Sequence, residues 1–322
     1  MENPQFICPT VTAFDTNLNI DAATNRQLWD RLITGGVDGI LVAGSIGEFF
    51  ALTYEQKLEL VKLAAQHING RVELLAGTGM NSLPETIALS RDALEAGADV
   101  VALITPYYFT LGEEALFDYY AACAQAIDGK ILLYNFPART GNDIGPELLR
   151  RLVDEFPNIV GIKDTVTELS HTRALIQAVR PRHPDFRFLA GFDENFYYTL
   201  LSGGNGAISG LANVYPEVTS AWVRAAREGN AATLERMQKL MNHLANIYTI
   251  APVFVPVIKE AIHQRGVALS TACRATPTGL TAAEKEAVAA LLARADELIA
   301  AAGLPAEGSS ALPSSTLPST DR

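Results

Sequence analysis

Lys163 is the residue whose type and position point most directly to chemistry. The chain has seven lysines, and only Lys163 directly follows an apolar run at the end of a predicted strand, residues 159–162. Burial there would disfavour the charged ammonium form, and a neutral lysine amine can attack a ketone to form a Schiff base. The alternative is an ordinary ion pair with Asp164. Position alone does not separate the two interpretations.

A glycine-rich turn ends a second predicted strand and is a candidate for binding an anion. Its residues are Gly44, Ser45, Ile46 and Gly47. Glycine lets the backbone approach a ligand closely, and a nest of backbone N–H groups binds a carboxylate. Such turns are often only structural, so the turn by itself is weak evidence for a binding site.

Two tyrosines, Tyr108 and Tyr134, lie at the ends of further predicted strands. A phenol can relay protons near neutral pH when it has a hydrogen-bonded partner. Tyrosines in such positions also pack without any chemical role. In company with Lys163 and Ser45, however, they favour a proton relay.

The elements that must position these residues form a regular alternation. Eight short β-rich apolar runs are predicted strands, at residues 6–11, 39–43, 73–77, 100–105, 130–135, 159–163, 186–190 and 206–209. Amphipathic helices are predicted between them at residues 54–68, 83–96, 112–127, 146–155, 169–179 and 193–201. The alternation predicts an α/β fold, a (β/α)8 TIM barrel with its chemistry at the carboxyl ends of the strands. A doubly wound sheet is the alternative, but no GxGxxG motif follows the first strand.

The chain is predicted to have three parts. Residues 1–225 would form the barrel. Four helical segments are predicted at residues 217–228, 231–248, 253–265 and 282–302, which is more helix than a barrel needs. We therefore expect a C-terminal helical subdomain at residues 226–302. Residues 303–322 are rich in Ser, Pro and Leu without periodicity, which predicts a disordered tail.

Composition argues against several classes of function. The net charge of −11 would repel a nucleic acid. Three cysteines without a CxxC motif and five scattered histidines indicate neither a disulfide framework nor a metal site. No apolar run approaches the ~18 residues that span a membrane, and the N-terminus does not resemble a secretion signal. A cytoplasmic protein without membrane or nucleic-acid partners is expected.

Four motifs together resemble the dihydrodipicolinate synthase / N-acetylneuraminate lyase family. They are G-S-I-G-E at residues 44–48, T-P-Y-Y at 105–108, Y-N-F-P-A-R-T-G at 134–141 and G-I-K-D at 161–164. The resemblance covers about residues 5–300. It implies a barrel with a C-terminal helical subdomain, usually a homotetramer built from dimers. It also implies a pyruvate-dependent enzyme that needs no metal or other cofactor, because the substrate is held covalently.

The resemblance implies a role for each catalytic residue. Lys163 would form the Schiff base, and Tyr134 would move the proton. Ser45 and Tyr108 would complete the relay, with Tyr108 supplied by a neighbouring subunit. Ser45 and the N–H groups of Ser45 and Ile46 would hold the pyruvate carboxylate. Ile46 is a departure, since several family members have a second threonine there.

Residues on the aldehyde side point to two different substrates. Phe136 and the stretches 161–165 and 191–194 look most like the branch that acts on 2-keto-3-deoxy sugar acids. Asp193 and Glu194 match positions that contact a polyhydroxylated chain in the neuraminate lyases, and Thr165 is expected to bond another hydroxyl. Gly191 and Ile208 are further expected substrate contacts. For Asp193 and Glu194, the alternative is that they cap a helix N-terminus and complement its dipole.

Arg139 favours the second substrate. It matches the arginine with which dihydrodipicolinate synthases bind the carboxylate of aspartate semialdehyde, and bidentate carboxylate binding suits arginine. A salt bridge at the surface is the alternative for Arg139.

The predicted function is a class I aldolase lyase that joins pyruvate to a hydroxyaldehyde or splits their product, a 2-keto-3-deoxy sugar acid. The alternatives are 4-hydroxy-tetrahydrodipicolinate synthase and an aldolase for a 4-hydroxy-2-keto acid. A non-catalytic protein that binds keto acids is the alternative from a different class.

Overall fold

The strands form a closed parallel barrel in the computed structural model, which describes residues 4–276 and 278–304. Each strand pairs with the next, and the eighth pairs with the first. The strands are β1 (Gln5–Pro9), β2 (Gly39–Val42), β3 (Glu73–Gly77), β4 (Val100–Ile104), β5 (Lys130–Asn135), β6 (Ile159–Asp164), β7 (Arg187–Ala190) and β8 (Gly206–Ile208). The predicted (β/α)8 barrel is confirmed, and the open doubly wound sheet is excluded.

Helices follow the strands around the barrel. They are α1 (Ala22–Gly35), α2 (Tyr54–Ile68), α3 (Leu83–Glu95), α4 (Glu113–Ala126), α5 (Pro137–Thr140), α6 (Pro146–Glu155), α7 (Leu169–Val179), α8 (Phe196–Leu201), α9 (Pro216–Arg227), α10 (Ala231–Leu244), α11 (Val255–Gln264) and α12 (Ala282–Ala301). Short 3-10 turns cover Phe49–Ala51, Asp193–Asn195, Gly210–Asn213 and Ala245–Thr249. Two predicted helices, residues 193–201 and 231–248, are therefore each divided between a 3-10 turn and an α-helix.

Helix α1 was not predicted. Asp21 caps it by accepting hydrogen bonds from the N–H groups of Ala23 and Thr24. Its buried face consists of Asn25, Leu28, Trp29 and Leu32. This spacing is helical, but only three of the four positions are apolar, so the periodic signal is weak.

Apolar side chains fill the inside of the barrel, and they form a cluster distinct from the larger core that the helices share. The inner cluster consists of Ile7, Leu41, Leu75, Val100, Ala102, Leu132, Leu189 and Ile208. Strands buried on both faces read as continuous apolar runs, which is why their positions could be predicted closely. The barrel is thus a packed core whose open end lies at the carboxyl ends of the strands.

The C-terminal helices pack beside the barrel. Helix α10 contacts α9, and α12 contacts both α10 and α11. The predicted boundary between residues 225 and 226 falls within α9, which itself packs on α1. Most of the predicted disordered tail, residues 305–322, lies outside the described residues. No helix among residues 4–276 and 278–304 has the length and apolar character that a membrane crossing requires.

A buried ion pair ties α11 to the turn that follows β2. Lys259 Nζ lies 2.6 Å from Glu48 Oε1, and both side chains are fully buried. The other oxygen of Glu48 accepts hydrogen bonds from the Arg274 N–H at 2.7 Å and from Cys273 Sγ at 3.0 Å. Removing one partner of such a pair leaves an uncompensated buried charge. The C-terminal segment therefore helps to hold the turn that carries Ser45.

Candidate active site

Lys163 and Tyr134 lie side by side at the open end of the barrel. The register of β5 and β6 pairs these two residues, and each is 5% exposed. Lys163 Nζ lies 4.2 Å from the centroid of the Tyr134 ring. Both side chains line one cavity of about 300 Å³. The amine therefore faces a space large enough for a small ligand.

Asp164 does not pair with Lys163. It forms the next pair along the two strands, with Asn135, and successive strand residues face opposite sides. Asp164 Oδ1 accepts a hydrogen bond from Asn135 Nδ2 at 2.9 Å, and Oδ2 accepts one from Thr172 Oγ1 at 2.6 Å. Lys163 Nζ forms no ion pair with any described residue. The alternative interpretation of Lys163, an ion pair with Asp164, is therefore not present, and the amine has no carboxylate partner among the described residues.

His171 completes a polar network on the outer side of β5 and β6. Its Nδ1 lies 3.0 Å from Asp164 Oδ2, and its Nε2 lies 3.2 Å from Asp143 Oδ2. Burial alone would lower the pKa of His171, but the hydrogen bonds to Asp143 and Asp164 outweigh this and raise the pKa to about 10. Asn135 Nδ2 also donates to Asp143 Oδ1 at 2.8 Å. The network fixes the two strand ends that carry Tyr134 and Lys163.

Protonated His171 should stabilise the fold in a defined pH range. Its pKa is about 10 in the folded chain and about 6.5 in an unfolded one. The folded state therefore binds more protons between these values, so this stabilisation is complete below pH ~6.5 and is lost as pH rises towards ~10. We expect the difference in free energy of unfolding between the wild type and His171→Gln to shrink over that range in urea titrations.

The control is His183→Gln, because His183 pairs at the surface with one carboxylate, that of Asp154. The expectation would be contradicted if the free energies of unfolding of the wild type and His171→Gln differed by the same amount at pH 6 and at pH 10.

The turn after β2 presents Ser45 to the same cavity. Ser45 Oγ lies 3.1 Å from Tyr134 Oη. The turn is tight, since a Cβ at Gly44 would lie 3.2 Å from a Leu41 methyl, and one at Gly47 would lie 3.1 Å from the Thr10 carbonyl oxygen. The N–H groups of Ser45 and Ile46 have no hydrogen-bond partner in the described part of the chain. They are therefore available to a ligand carboxylate.

Four predicted residues of the aldehyde side also line this cavity: Arg139, Thr165, Gly191 and Ile208. Thr165 is 3% exposed, and its Oγ1 has no hydrogen-bond partner among the described residues. A Cβ at Gly191 would lie 1.8 Å from that oxygen, so only glycine fits there. An unpartnered buried hydroxyl is costly, and a ligand hydroxyl would satisfy it.

Asp193 and Glu194 are not among the residues that line the cavity. Asp193 is fully buried, and it accepts hydrogen bonds from Tyr248 Oη at 2.7 Å and from the Leu211 N–H at 3.1 Å. Burial raises the pKa of both carboxyl groups. Neither caps a helix, because the 3-10 turn is preceded by Phe192 and has no side-chain cap. The predicted contact of Asp193 with the aldehyde is thus replaced by a contact with Tyr248.

Tyr248 was missed in the sequence, and it lines the cavity together with Ser209. It lies 55 residues from Asp193 along the chain. No local pattern marks such a pairing.

Arg139 lines the cavity that Lys163 faces, whereas Tyr108 does not. Arg139, on α5, forms no salt bridge with the residues that the structure describes, so the surface ion pair considered above is not present. Tyr108 is 86% exposed with φ 87°, and its ring packs against that of Phe109 with the centroids 4.9 Å apart. It therefore does not reach Tyr134 within its own chain.

A second cavity, of about 370 Å³, opens beside Ser45. Its lining includes five aromatic side chains: Phe49, Phe50, Tyr107, Phe136 and Phe254. Two of these, Phe136 and Phe254, also line the first cavity, as do Ser45 and Arg139. Among residues 4–276 and 278–304, no group of three or more His, Cys, Asp or Glu side chains is arranged to hold a metal ion.

Comparison with known proteins finds relatives in one family. Residues 4–295 match the model of the dihydrodipicolinate synthetase family. The putative 2-dehydro-3-deoxy-D-gluconate aldolase YagE of Escherichia coli K12 is 39% identical over 265 residues, which is 82% of this chain and 88% of that protein. The probable 2-dehydro-3-deoxy-D-pentonate aldolase YjhH of the same organism is 37% identical over 267 residues, 83% and 89% of the two chains.

A relative with a different named activity is nearly as similar. The 4-hydroxy-tetrahydrodipicolinate synthase of Kosmotoga olearia is 35% identical over 265 residues, 81% of this chain and 88% of that protein. Among solved structures, the crystal structure of YagE in complex with pyruvate superposes with a TM-score of 0.89 at 36% identity, covering 92% of this chain and 99% of that one.

Proposed function

The chain belongs to the dihydrodipicolinate synthetase family and is a lyase, and we propose that it cleaves or forms a 2-keto-3-deoxy sugar acid through a Schiff base on Lys163. One observation carries this proposal. A buried amine without a carboxylate partner lies against Tyr134, whose hydroxyl contacts Ser45. An amine nucleophile next to a proton-transfer group is what Schiff-base catalysis requires.

The mechanism runs through Lys163 in both directions. The amine attacks the C2 ketone, and loss of water gives an iminium ion. Tyr134 takes the proton of the C4 hydroxyl, the C3–C4 bond breaks, and its electron pair enters the iminium to give an enamine as the aldehyde leaves. Protonation at C3 and hydrolysis then release pyruvate and free Lys163. The reverse sequence adds pyruvate to an aldehyde, and no other cofactor is needed.

Pyruvate would be held by the turn after β2. The free N–H groups of Ser45 and Ile46 and the hydroxyl of Ser45 would bind its carboxylate, because adjacent backbone donors form a nest for an anion. Gly44 and Gly47 serve this by keeping the turn tight. Where several family members have a threonine, this chain has Ile46, so one side-chain hydroxyl is missing while both backbone donors remain.

The relay would be completed by a second copy of the chain. Tyr108 of one subunit would reach Ser45 and Tyr134 of its neighbour within a homotetramer. The exposure of Tyr108, Phe109 and Phe50, at 86%, 72% and 49%, supports this assignment, because clustered exposed apolar side chains mark interaction surfaces. The aromatic cavity beside Ser45 is a suitable receptor for such a ring.

The identity of the aldehyde is proposed from residues that line the cavity. The free hydroxyl of Thr165 favours a hydroxylated chain, and two similar relatives are named as aldolases of 2-dehydro-3-deoxy sugar acids. Arg139 supports a second candidate, 4-hydroxy-tetrahydrodipicolinate synthase, since a free guanidinium suits the carboxylate of aspartate semialdehyde. A 2-keto-3-deoxy aldonate has only the carboxylate that the Ser45 turn binds, so it leaves Arg139 without a second one.

A substrate panel tests the choice. We expect pyruvate release from 2-keto-3-deoxygluconate with a higher kcat/KM than pyruvate-dependent consumption of aspartate semialdehyde. Arg139→Ala should change the KM for the sugar acid by less than about threefold, since an exposed arginine contributes little where it has no anionic partner. Turnover of aspartate semialdehyde alone, with a KM that Arg139→Ala raises strongly, would favour the synthase instead.

A further inference from the structure

Tyr248 reaches the Lys163 cavity from outside the barrel. It lies on the 3-10 turn Ala245–Thr249, after α10. Its ring packs edge-on against Phe254 with centroids 5.5 Å apart, and both residues line the cavity. The C-terminal segment thus contributes a hydroxyl to a cavity that residues at the strand ends also line.

Asp193 fixes the direction in which this hydroxyl donates. Tyr248 Oη donates to Asp193 Oδ2 at 2.7 Å, while Oδ1 of the same carboxylate accepts the Leu211 N–H. Burial and the nearby Asp193 raise the pKa of Tyr248 well above its ordinary value, so the phenol keeps its proton. With that proton committed to Asp193, only the oxygen lone pairs of Tyr248 remain for a ligand.

The space for this hydroxyl is kept open by a glycine. A Cβ at Gly210 would lie 2.6 Å from Tyr248 Oη and 2.4 Å from Ile46 Cδ1. Gly210 itself lines the cavity. Any side chain at this position would displace either Tyr248 or the turn that is proposed to bind pyruvate.

Ser209 repeats the pattern on the same wall. Its Oγ donates to the Gly191 carbonyl oxygen at 3.1 Å, and the same hydroxyl also interacts with the side chains of Tyr248 and Asp193, so its proton is used within the protein. Two hydroxyl groups whose protons are already used form a wall of hydrogen-bond acceptors. Such a wall is matched by a ligand that donates hydrogen bonds, as the hydroxyl groups of a polyol do.

We propose that Tyr248 is a specificity-determining residue that accepts a hydrogen bond from a hydroxyl of the aldehyde half, and that Asp193 is the positioning residue that holds it as an acceptor. The proposal rests on the proposed Schiff-base aldolase function. It gives Asp193 an indirect role in place of direct contact with the substrate.

The test compares two aldehydes that differ in their hydroxyl groups. We would measure kcat/KM for addition of pyruvate to glyceraldehyde and to propanal, in the wild type and in Tyr248→Phe. The wild type should prefer glyceraldehyde. Tyr248→Phe should lower kcat/KM for glyceraldehyde about tenfold or more, because a substrate hydroxyl is left without an acceptor, and should leave propanal within about threefold.

Tyr54→Phe is the matched control. Tyr54 Oη donates to Asp92 Oδ2 at the same 2.7 Å, away from the cavity. This variant should retain the preference for glyceraldehyde. Asp193→Asn serves as a second variant if Tyr248→Phe does not fold, because its amide can donate to Tyr248 Oη and turn the tyrosine into a donor; it should show the same selective loss.

Two outcomes would overturn the proposal: an equal loss for both aldehydes in Tyr248→Phe, or a wild type without preference for glyceraldehyde. Borohydride trapping of pyruvate separates these from failure of the proposed function. An adduct on Lys163 with unchanged aldehyde preference refutes only the role of Tyr248. The absence of any adduct in the wild type refutes the Schiff base itself.

Discussion

Replacing Lys163 with methionine is expected to lower kcat/KM for aldol cleavage by at least about 10⁴-fold, since losses of that size or larger follow removal of a covalent nucleophile. Methionine has nearly the length of lysine without its amine. Because Lys163 has no carboxylate partner, the substitution leaves no buried charge uncompensated. The variant should therefore remain folded, with a melting temperature close to that of the wild type.

Lys57 is the competing amine. It lies on α2, is 3% exposed, and burial lowers its pKa to about 8. Its Nζ lies 5.3 Å from the centroid of the Phe49 ring, and Lys57 lines neither cavity. If a lowered pKa were enough for reactivity, pyruvate would react at Lys57. We expect instead that geometry decides, because the amine must lie beside a carboxylate nest and a proton donor.

Mass spectrometry after borohydride reduction with pyruvate distinguishes the two lysines. The adduct should map to Lys163 in the wild type and in Lys57→Met, and should be absent from Lys163→Met. An adduct on Lys57, or a Lys163→Met variant that still cleaves the substrate, would exclude the proposed mechanism.

The pleat of β6 shows how much could be derived about this lysine from sequence. Strand side chains alternate between the two faces, so consecutive residues such as Lys163 and Asp164 cannot share one. Alternation alone therefore argues against their ion pair once the strand is predicted. The sequence does not show which residues of β5 lie beside Lys163 and Asp164. The strand register pairs them with Tyr134 and Asn135.

The aldehyde side could be predicted less well, for a physical reason. Gly191, Thr165 and Ile208 follow or end strands, and all barrel strands end at one rim. Asp193 also follows a strand, but its side chain turns into protein and not into the cavity. That choice depends on Tyr248 and Leu211, which approach it through tertiary packing. Helix α1 shows the same limit, since polar Asn25 occupies its buried face.

Tyr134→Phe is expected to lower kcat by about 10²- to 10⁴-fold, the usual contribution of a positioned general acid–base group. The phenylalanine ring would still lie beneath the Lys163 amine and stack near Phe136, whose ring centroid is 6.1 Å away. Only the hydroxyl that contacts Ser45 is lost. Steady-state kinetics should therefore show a fall in kcat with little change in KM, while pyruvate can still be trapped on Lys163.

Tyr120→Phe is the control for Tyr134→Phe. Tyr120 is 1% exposed on α4, and its hydroxyl donates to the Leu103 carbonyl oxygen at 3.5 Å, away from the cavity. This variant should keep its kcat. A Tyr134→Phe enzyme whose kcat stays within about threefold of the wild type would remove Tyr134 from the proton relay.

The same relay makes a sharper prediction about assembly. Tyr108 is exposed and away from Tyr134 in its own chain, so each site should depend on Tyr108 from a neighbour. Lys163→Met and Tyr108→Ala chains, each impaired alone, should regain activity when unfolded and refolded together. In a mixed pair, the chain that keeps Lys163 receives an intact Tyr108 from the other. If Tyr108 acted within its own chain, no mixed pair would contain a complete site, and the activity of the mixture would equal the sum of its parts.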